Sequence, residues 1–181
     1  MFNFHDSLKE NKNLGLNEVE GSGPNLYNRL AQTPELEEIF QNAMEQISKL
    51  SRGALVSKLD LSDVNYLVDV GGGNGSNIIS LAQKNAHLKC SVYDSPTVCE
   101  QAQENIESHQ LQERLSTVSG DVFKDSLPKE ADAILFCHFF TIWSKENNLK
   151  LLKKAYEALP KGGRVIIYNM MQNNEGTGPI T

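Results

Sequence analysis

Apolar and polar residues alternate along most of the chain in short runs that have two different periods. Five runs rich in β-branched and aromatic residues predict buried strands, at 66–70, 89–93, 116–119, 133–137 and 164–169. Between them, apolar positions three or four residues apart predict helices at 75–85, 96–108 and 145–158. This order is typical of an α/β protein with a doubly wound, mostly parallel sheet and helices on both faces.

The pattern is weaker before the first predicted strand. Residues 1–33 carry clusters of Asn, Gly and Ser, which predict an irregular N-terminal arm with at most one short helix. Thr33 and Pro34 then indicate a helix start, and apolar residues recur at helical spacing from Leu36 to Leu50, which predicts one buried face. We therefore divide the chain into an arm, a linker or acceptor-side helix and an α/β domain, at 1–33, 34–60 and 61–181.

A glycine-rich turn, DVGGGNG, follows the first predicted strand. In a doubly wound sheet this turn opens the crevice that binds ligands, and glycines let a ligand approach the backbone closely. A dinucleotide-binding turn would need Gly or Ala at position 76, where this chain has Ser76. An acid followed by three glycines at every second position is matched in full by Asp69, Gly71, Gly73 and Gly75. This spacing favours S-adenosyl-L-methionine over NAD as the cofactor.

Two further acids stand at the ends of predicted strands. Asp94 ends the second strand, where an ionised carboxylate can accept both hydroxyls of a ribose. Asp121 follows the third strand and can accept from an adenine amino group. The structural alternative is that Asp94 forms the turn before Ser95 and Pro96, and that Asp121 is also a turn residue. The glycine turn and Asp94 support one another, so we predict a cofactor site.

The composition of the chain limits the classes of partner that we expect. The chain has 181 residues, a formal charge of −6 and no basic run, which argues against a nucleic-acid partner. No apolar run approaches the ~20 residues that span a membrane, so we expect no membrane partner. Three cysteines without CxxC spacing, Cys90, Cys99 and Cys137, fit a reducing compartment, and we expect a cytoplasmic protein.

An ordered set of segments resembles class I S-adenosylmethionine-dependent methyltransferases. The segments LVDVGGGNG, YDSPTV, SGDVF, ADAILFCHFFTIWS and LLKKAYEALPKGGRVIIYNMM are similar to the small-molecule O-methyltransferase family of plant and bacterial secondary metabolism. The resemblance covers about residues 25–175 and implies a Rossmann-like sheet, a small-molecule acceptor and a homodimer in a full-length form. Because the family usually has a dimerisation domain in front and two more strands, the sheet looks truncated after the fifth strand.

The resemblance also assigns individual cofactor contacts in this sequence. It places the backbone of the glycine turn and the two acids against the cofactor, with Trp143 near the adenine. The implied contacts are Gly71, Gly73, Asp94, Asp121, Val122 and Trp143.

The segment after the fourth strand departs from the family. Aligned on Trp143, Thr141 and Ile142 stand where the family has the His and Asp of a His-Asp-Trp triplet, and that His removes the acceptor's proton. An alkyl hydroxyl cannot serve as a base near neutral pH, although Thr141 remains a catalytic candidate for positioning. His138 lies three residues earlier and is the other candidate, as a base or as one metal ligand. The alternative is a histidine packed among its neighbouring phenylalanines.

The acceptor and the reaction stay open at this point. Met44, Phe139 and Phe140 are candidate acceptor contacts, although Met44 also fits a core position. O-methylation is the expected reaction. The alternatives are C-methylation of a 2-oxo acid, with or without a metal that stabilises the enolate, and a non-catalytic cofactor-binding domain. An NAD-dependent oxidoreductase is disfavoured by Ser76.

Overall fold

A computed structural model describes residues 3–10, 12–23, 26–30, 32–169, 171 and 173–177. The chain divides into two compact units, Met1–Ile47 and Ser48–Thr181. The boundary differs from the predicted divisions at 33/34 and 60/61, which stay predictions for the whole protein.

The first unit is more helical than its sequence suggested. The prediction of at most one short helix is wrong, because the described arm holds α1 (Phe4–Glu10), a 3₁₀ helix (Leu14–Glu18) and α2 (Leu26–Leu30). The Arg29 guanidinium donates to the carbonyls of Leu16 and Val19, at 2.5 and 2.7 Å. The Gln32 amide donates to the Ser22 carbonyl at 2.6 Å. Side-chain bonds to backbone carbonyls therefore connect these elements, and such bonds leave no periodic pattern in the sequence.

Helix α3 (Pro34–Lys58) begins in the first unit and ends in the second. The prediction of one buried apolar face is wrong for most of its length, since Leu36, Ile39 and Leu50 are 43, 65 and 89% exposed. Leu55, near its end, is buried in the core of the second unit. Among the described side chains of α3, those that contribute to that core lie in its final turns.

The second unit confirms the predicted parallel sheet. Its strands are β1 (Tyr66–Val70), β2 (Lys89–Asp94), β3 (Leu115–Ser119), β4 (Ala133–Cys137) and β5 (Arg164–Tyr168). They are paired in parallel in the order β3-β2-β1-β4-β5. Its helices are α4 (Ser76–Lys84), α5 (Pro96–Ser108) and α6 (Lys145–Ala158), with a 3₁₀ helix at Phe140–Ile142.

Two apolar cores cover the two faces of this sheet. One contains Leu55 of α3, Ile78 of α4 and Ile106 of α5. The other contains Phe136 of β4 and Ala155 of α6. Because all strands are parallel, their carboxyl ends meet along one edge, which is where ligands bind in such sheets. Within the described ranges, no helix combines the length and the apolar character needed to cross a bilayer.

Gly120, directly after β3, tests the packing at this edge. A Cβ at Gly120 would lie 2.3 Å from the hydroxyl oxygen of buried Tyr93, so Gly120→Ala should lower the free energy of unfolding by about 1–3 kcal/mol. Gly53 in α3 is the matched control, because a Cβ there meets no atom within 4 Å. Gly53→Ala should raise stability by about 0.5–1 kcal/mol. Urea unfolding measures both, and equal effects would contradict the packing described.

Candidate cofactor and acceptor site

The turn between β1 and α4 has a left-handed backbone at three glycines. Gly71, Gly73 and Gly75 have φ values of +71°, +57° and +77°, which residues with a Cβ rarely adopt. At Gly71 a Cβ would also lie 2.3 Å from the Phe139 ring. The Gly71 N–H donates to the Tyr93 carbonyl at 2.8 Å. The glycines thus hold a narrow turn against both β2 and the segment after β4.

Asp69 is fully buried beneath this turn. Among the described residues, neither of its carboxyl oxygens makes a hydrogen bond of normal geometry, and the Asn77 side-chain amide is a poorly placed donor beside them. Burial, together with the charge of Asp94, raises the pKa of Asp69 to about 8, and the nearby Asn77 amide lowers it only in part. Buried polar groups are nearly always paired in native proteins. The orphaned carboxyl therefore fits a ligand that brings a cationic donor to the turn, such as the ammonium group of S-adenosyl-L-methionine.

Asp94, at the end of β2, is tied to the turn by its carboxylate. Oδ2 accepts from the Gly73 N–H at 3.1 Å, and Oδ1 accepts from the Ser95 N–H at 2.8 Å. A carboxylate oxygen has room for a second donor. The side chain is therefore oriented by the backbone and can still accept the two hydroxyls of a ribose.

Asp121 follows β3 at the same edge. Its Oδ1 accepts from the Phe123 N–H at 2.9 Å, and its Oδ2 lies 2.8 Å from the Lys124 ammonium. The hydrogen bond from Lys124, followed by that from the Phe123 backbone, lowers the pKa of Asp121. Asp121 is thus an ionised acceptor near neutral pH.

Aromatic rings stand beside Asp121. Trp143 packs edge-to-face on Phe123 with ring centroids 4.8 Å apart, and its ring centroid lies 5.9 Å from that of Phe139. Val122 is half-buried against the core that contains Phe136, and its carbonyl accepts from the Lys154 ammonium. The rings of Phe123, Phe139 and Trp143 thus form an aromatic cluster, which suits a flat nucleobase.

His138, directly after β4, has an uncommon conformation. Its φ is +53°, and its N–H donates to the Tyr168 carbonyl at 2.8 Å. Its Nε2 lies 2.9 Å from the Ser51 hydroxyl oxygen. Burial lowers the pKa of the imidazole. The ring is therefore neutral at pH 7 and able to accept a proton.

The other acceptor-side candidates are spread out. Thr141 is exposed in the 3₁₀ helix. Phe139 and Phe140 are half-buried and pack on Phe136, with ring centroids 5.8 and 4.8 Å away. Met44 is 37% exposed on α3 in the first unit. His138, Phe139 and Phe140 are consecutive at the sheet edge, whereas the roles of Thr141 and Met44 stay predictions.

Polar residues that the sequence did not single out also lie in this unit. Ser51 contacts His138, and the Arg52 Nε donates to the Asn77 side-chain oxygen at 3.2 Å. Asn169, directly after β5, has a buried side-chain oxygen with no hydrogen-bond partner among the described residues. The sequence signal that could have identified two of these residues is their position. Asn77 comes just after the glycine turn, and Asn169 comes just after the last strand.

A metal site has no preformed ligand set in the described ranges. Those residues contain no group of three or more His, Cys, Asp or Glu side chains that could hold a metal ion. The structure therefore identifies no co-ligands for His138.

The model of the O-methyltransferase domain matches residues 3–181. The chain belongs to the O-methyltransferase domain family. This confirms the resemblance drawn from the sequence, and the sheet confirms the expected α/β architecture.

Known relatives of this family match most of the chain. The L-tyrosine C(3)-methyltransferase of Streptomyces lavendulae is 42% identical over 177 residues, which cover 98% of this chain and 48% of the relative. The 3-hydroxy-5-methyl-1-naphthoate 3-O-methyltransferase of Streptomyces sahachiroi is 35% identical over 143 residues, 79% of this chain and 41% of the relative. The solved apo structure of the S-adenosylmethionine-dependent methyltransferase SibL is 40% identical with a TM-score of 0.78, covering 98% and 52%. This chain thus spans about half the length of these proteins.

Replacement of Asp69 should stabilise the protein in the absence of ligand. The folded-state pKa of about 8 lies above the ordinary 3.8, so stability is fully present below pH ~4 and is lost as the pH rises through about 8. Asp69→Asn removes this loss, and we expect a gain of about 1–3 kcal/mol at pH 8 that shrinks towards pH 5. Thermal unfolding at the two pH values measures it.

Asp60→Asn is the control for this measurement. Asp60 is exposed, and the Ser62 N–H lowers the pKa of its carboxyl, so this substitution should bring no gain. A loss of stability in Asp69→Asn that is equal at both pH values would contradict the buried, unpaired carboxyl.

Proposed function

We propose that this chain is the cofactor-binding part of an S-adenosyl-L-methionine-dependent methyltransferase that O-methylates a small phenolic acceptor in secondary metabolism. The observation that carries the proposal is the buried, unpaired Asp69 beneath a left-handed glycine turn that Asp94 holds in place. Relatives that act on L-tyrosine and on a hydroxynaphthoate support an aromatic acceptor.

Each part of the cofactor has a matching group. S-adenosyl-L-methionine supplies an electrophilic methyl group on a sulfonium. We assign Asp69 to its ammonium and the hydroxyls of its ribose to Asp94. Asp121, Val122 and Trp143 are assigned to the adenine, and the backbone of Gly71, Gly73 and Gly75 to the amino-acid part. Arg52, bonded to Asn77 at the start of α4, is the cation assigned to the carboxylate.

The base is the second part of the proposal. A phenol must lose its proton to become a strong nucleophile, and a base with a pKa near the working pH speeds this step. We assign this role to His138, which burial keeps neutral. Thr141 is assigned to positioning the acceptor oxygen, and Phe139 and Phe140 to contacts with the acceptor ring.

C-methylation of an aromatic ring is the second candidate function. The relative that methylates C3 of L-tyrosine favours it, because a phenolate also carries negative charge on the carbon beside its oxygen. The same base would serve both reactions. C-methylation of a 2-oxo acid, with or without a metal, stays a prediction without a supporting observation.

The remaining assignments concern the protein as a whole. A cytoplasmic location is supported by the three cysteines, all of which are free thiols. The net charge of −6 supports a partner other than nucleic acid. A homodimer in a full-length form is implied by the family.

Calorimetry with S-adenosylhomocysteine tests the cofactor assignment. Asp94→Asn should weaken binding by about tenfold or more, because two charge-assisted hydrogen bonds are lost. Asp63→Asn is the control, since Asp63 lies on the surface in an ion pair with Arg164. Binding of NAD but not of S-adenosylhomocysteine by the wild-type protein would overturn the proposal.

Transfer of labelled methyl groups to a panel of phenols tests the base. His138→Ala should lower the rate at pH 7 by about 10²-fold or more, with recovery near pH 10, where phenols ionise unaided. Thr141→Ala should have a smaller effect, and a chelator none. NMR of the product separates O- from C-transfer. An unchanged rate in His138→Ala would contradict the assignment, and absence of transfer to every acceptor would favour a non-catalytic domain.

A further inference from the structure

The Ser51 hydroxyl has two hydrogen-bonding contacts, one to a backbone carbonyl and one to the His138 ring. Its oxygen is 3.2 Å from the Ser48 carbonyl and 2.9 Å from His138 Nε2. A hydroxyl has one proton, and a carbonyl can only accept. The one assignment that makes both contacts hydrogen bonds directs the Ser51 proton to the Ser48 carbonyl and places an N–H at His138 Nε2, from which the hydroxyl oxygen accepts.

This arrangement determines the tautomer of His138. A neutral imidazole carries one proton, so a proton on Nε2 leaves the lone pair on Nδ1. Among the described residues, Nδ1 has no hydrogen-bond partner. A purely packed histidine would be expected to pair both nitrogens. Nε2 of His138 is therefore bonded to Ser51, and Nδ1 is available to accept a proton.

We propose that Ser51 is a positioning residue that holds His138 as its Nε2–H tautomer, so that Nδ1 takes the acceptor's proton. This inference rests on the proposed function. The acceptor O–H bond breaks, its electron pair stays on oxygen and its proton forms the Nδ1–H bond of an imidazolium. The acceptor then bonds to the methyl carbon as the carbon–sulfur bond breaks, its pair passing to sulfur. The imidazolium returns the proton to water.

Hydrogen bonds to Tyr168 hold Ser51 and His138 together. The His138 N–H donates to the Tyr168 carbonyl at 2.8 Å, and the Tyr168 hydroxyl donates to the Ser51 carbonyl at 2.9 Å. With the bond between Ser51 and His138, these contacts close a cycle across α3, β4 and β5. The left-handed backbone of His138 is strained, because it is not a glycine, and such a conformation persists only where its surroundings hold it. Such strain is concentrated at functional sites.

Nitrogen-15 NMR of the labelled protein near neutral pH tests the tautomer without any cofactor. The wild-type protein should give the signature of a protonated Nε2 and an unprotonated Nδ1 for His138, assigned by its loss in His138→Gln. Ser51→Ala should shift this signature towards the other tautomer, whereas Ser51→Thr, which keeps the hydroxyl, should retain it. Ser57→Ala is the matched control, because the Ser57 hydroxyl makes the same bond to its i−3 carbonyl, Ala54, at 3.2 Å.

Kinetics then test the consequence. Ser51→Ala should lower kcat by about tenfold, leave the affinity for S-adenosylhomocysteine unchanged, and be rescued by threonine. A wild-type spectrum with Nδ1 protonated would overturn the inference, as would an unchanged tautomer and kcat in Ser51→Ala. If Ser51→Ala does not fold, the spectra of the wild-type protein and of Ser51→Thr still decide which tautomer His138 adopts. If no variant binds S-adenosylhomocysteine, the proposed function fails, and the spectra still assign the tautomer.

Discussion

The left-handed backbone of the turn after β1 is the constraint on which the carboxyl edge of the sheet depends. Three glycines adopt it, and a Cβ at Gly71 would overlap the Phe139 ring. Because the turn is this narrow, Asp94 can reach the Gly73 N–H from the neighbouring strand. The same turn covers Asp69 and removes it from water. One backbone conformation thereby sets the positions of both acids.

Energetically unfavourable features are concentrated at this edge. An unpaired carboxyl, a left-handed histidine and the unpaired side-chain oxygen of Asn169 all lie at or next to the carboxyl ends of parallel strands. The two cores behind them are built mainly from apolar side chains. Natural proteins tolerate local conflicts of this kind at binding and catalytic sites, where a ligand resolves them. The contrast between edge and core supports the location of the site independently of any motif.

Much of the second unit could be predicted from sequence, because its strands and helices have clear periods and boundaries. The strands β1 and β4 and the helices α5 and α6 begin and end at the predicted residues. In the first unit, α3 begins at the predicted Pro34. The short helices before it could not be predicted, since they are connected by polar contacts such as those of Arg29. The contact between Ser51 and His138 joins residues 87 positions apart, and no local pattern indicates such a contact.

A crystal structure of the protein with S-adenosylhomocysteine is the most direct test of the cofactor site at this edge. We expect the ribose hydroxyls about 2.6–3.2 Å from the Asp94 carboxylate, and the amino-acid part against the turn above Asp69. A nucleoside bound away from the carboxyl edge, with Asp69 still unpaired, would contradict the proposed site.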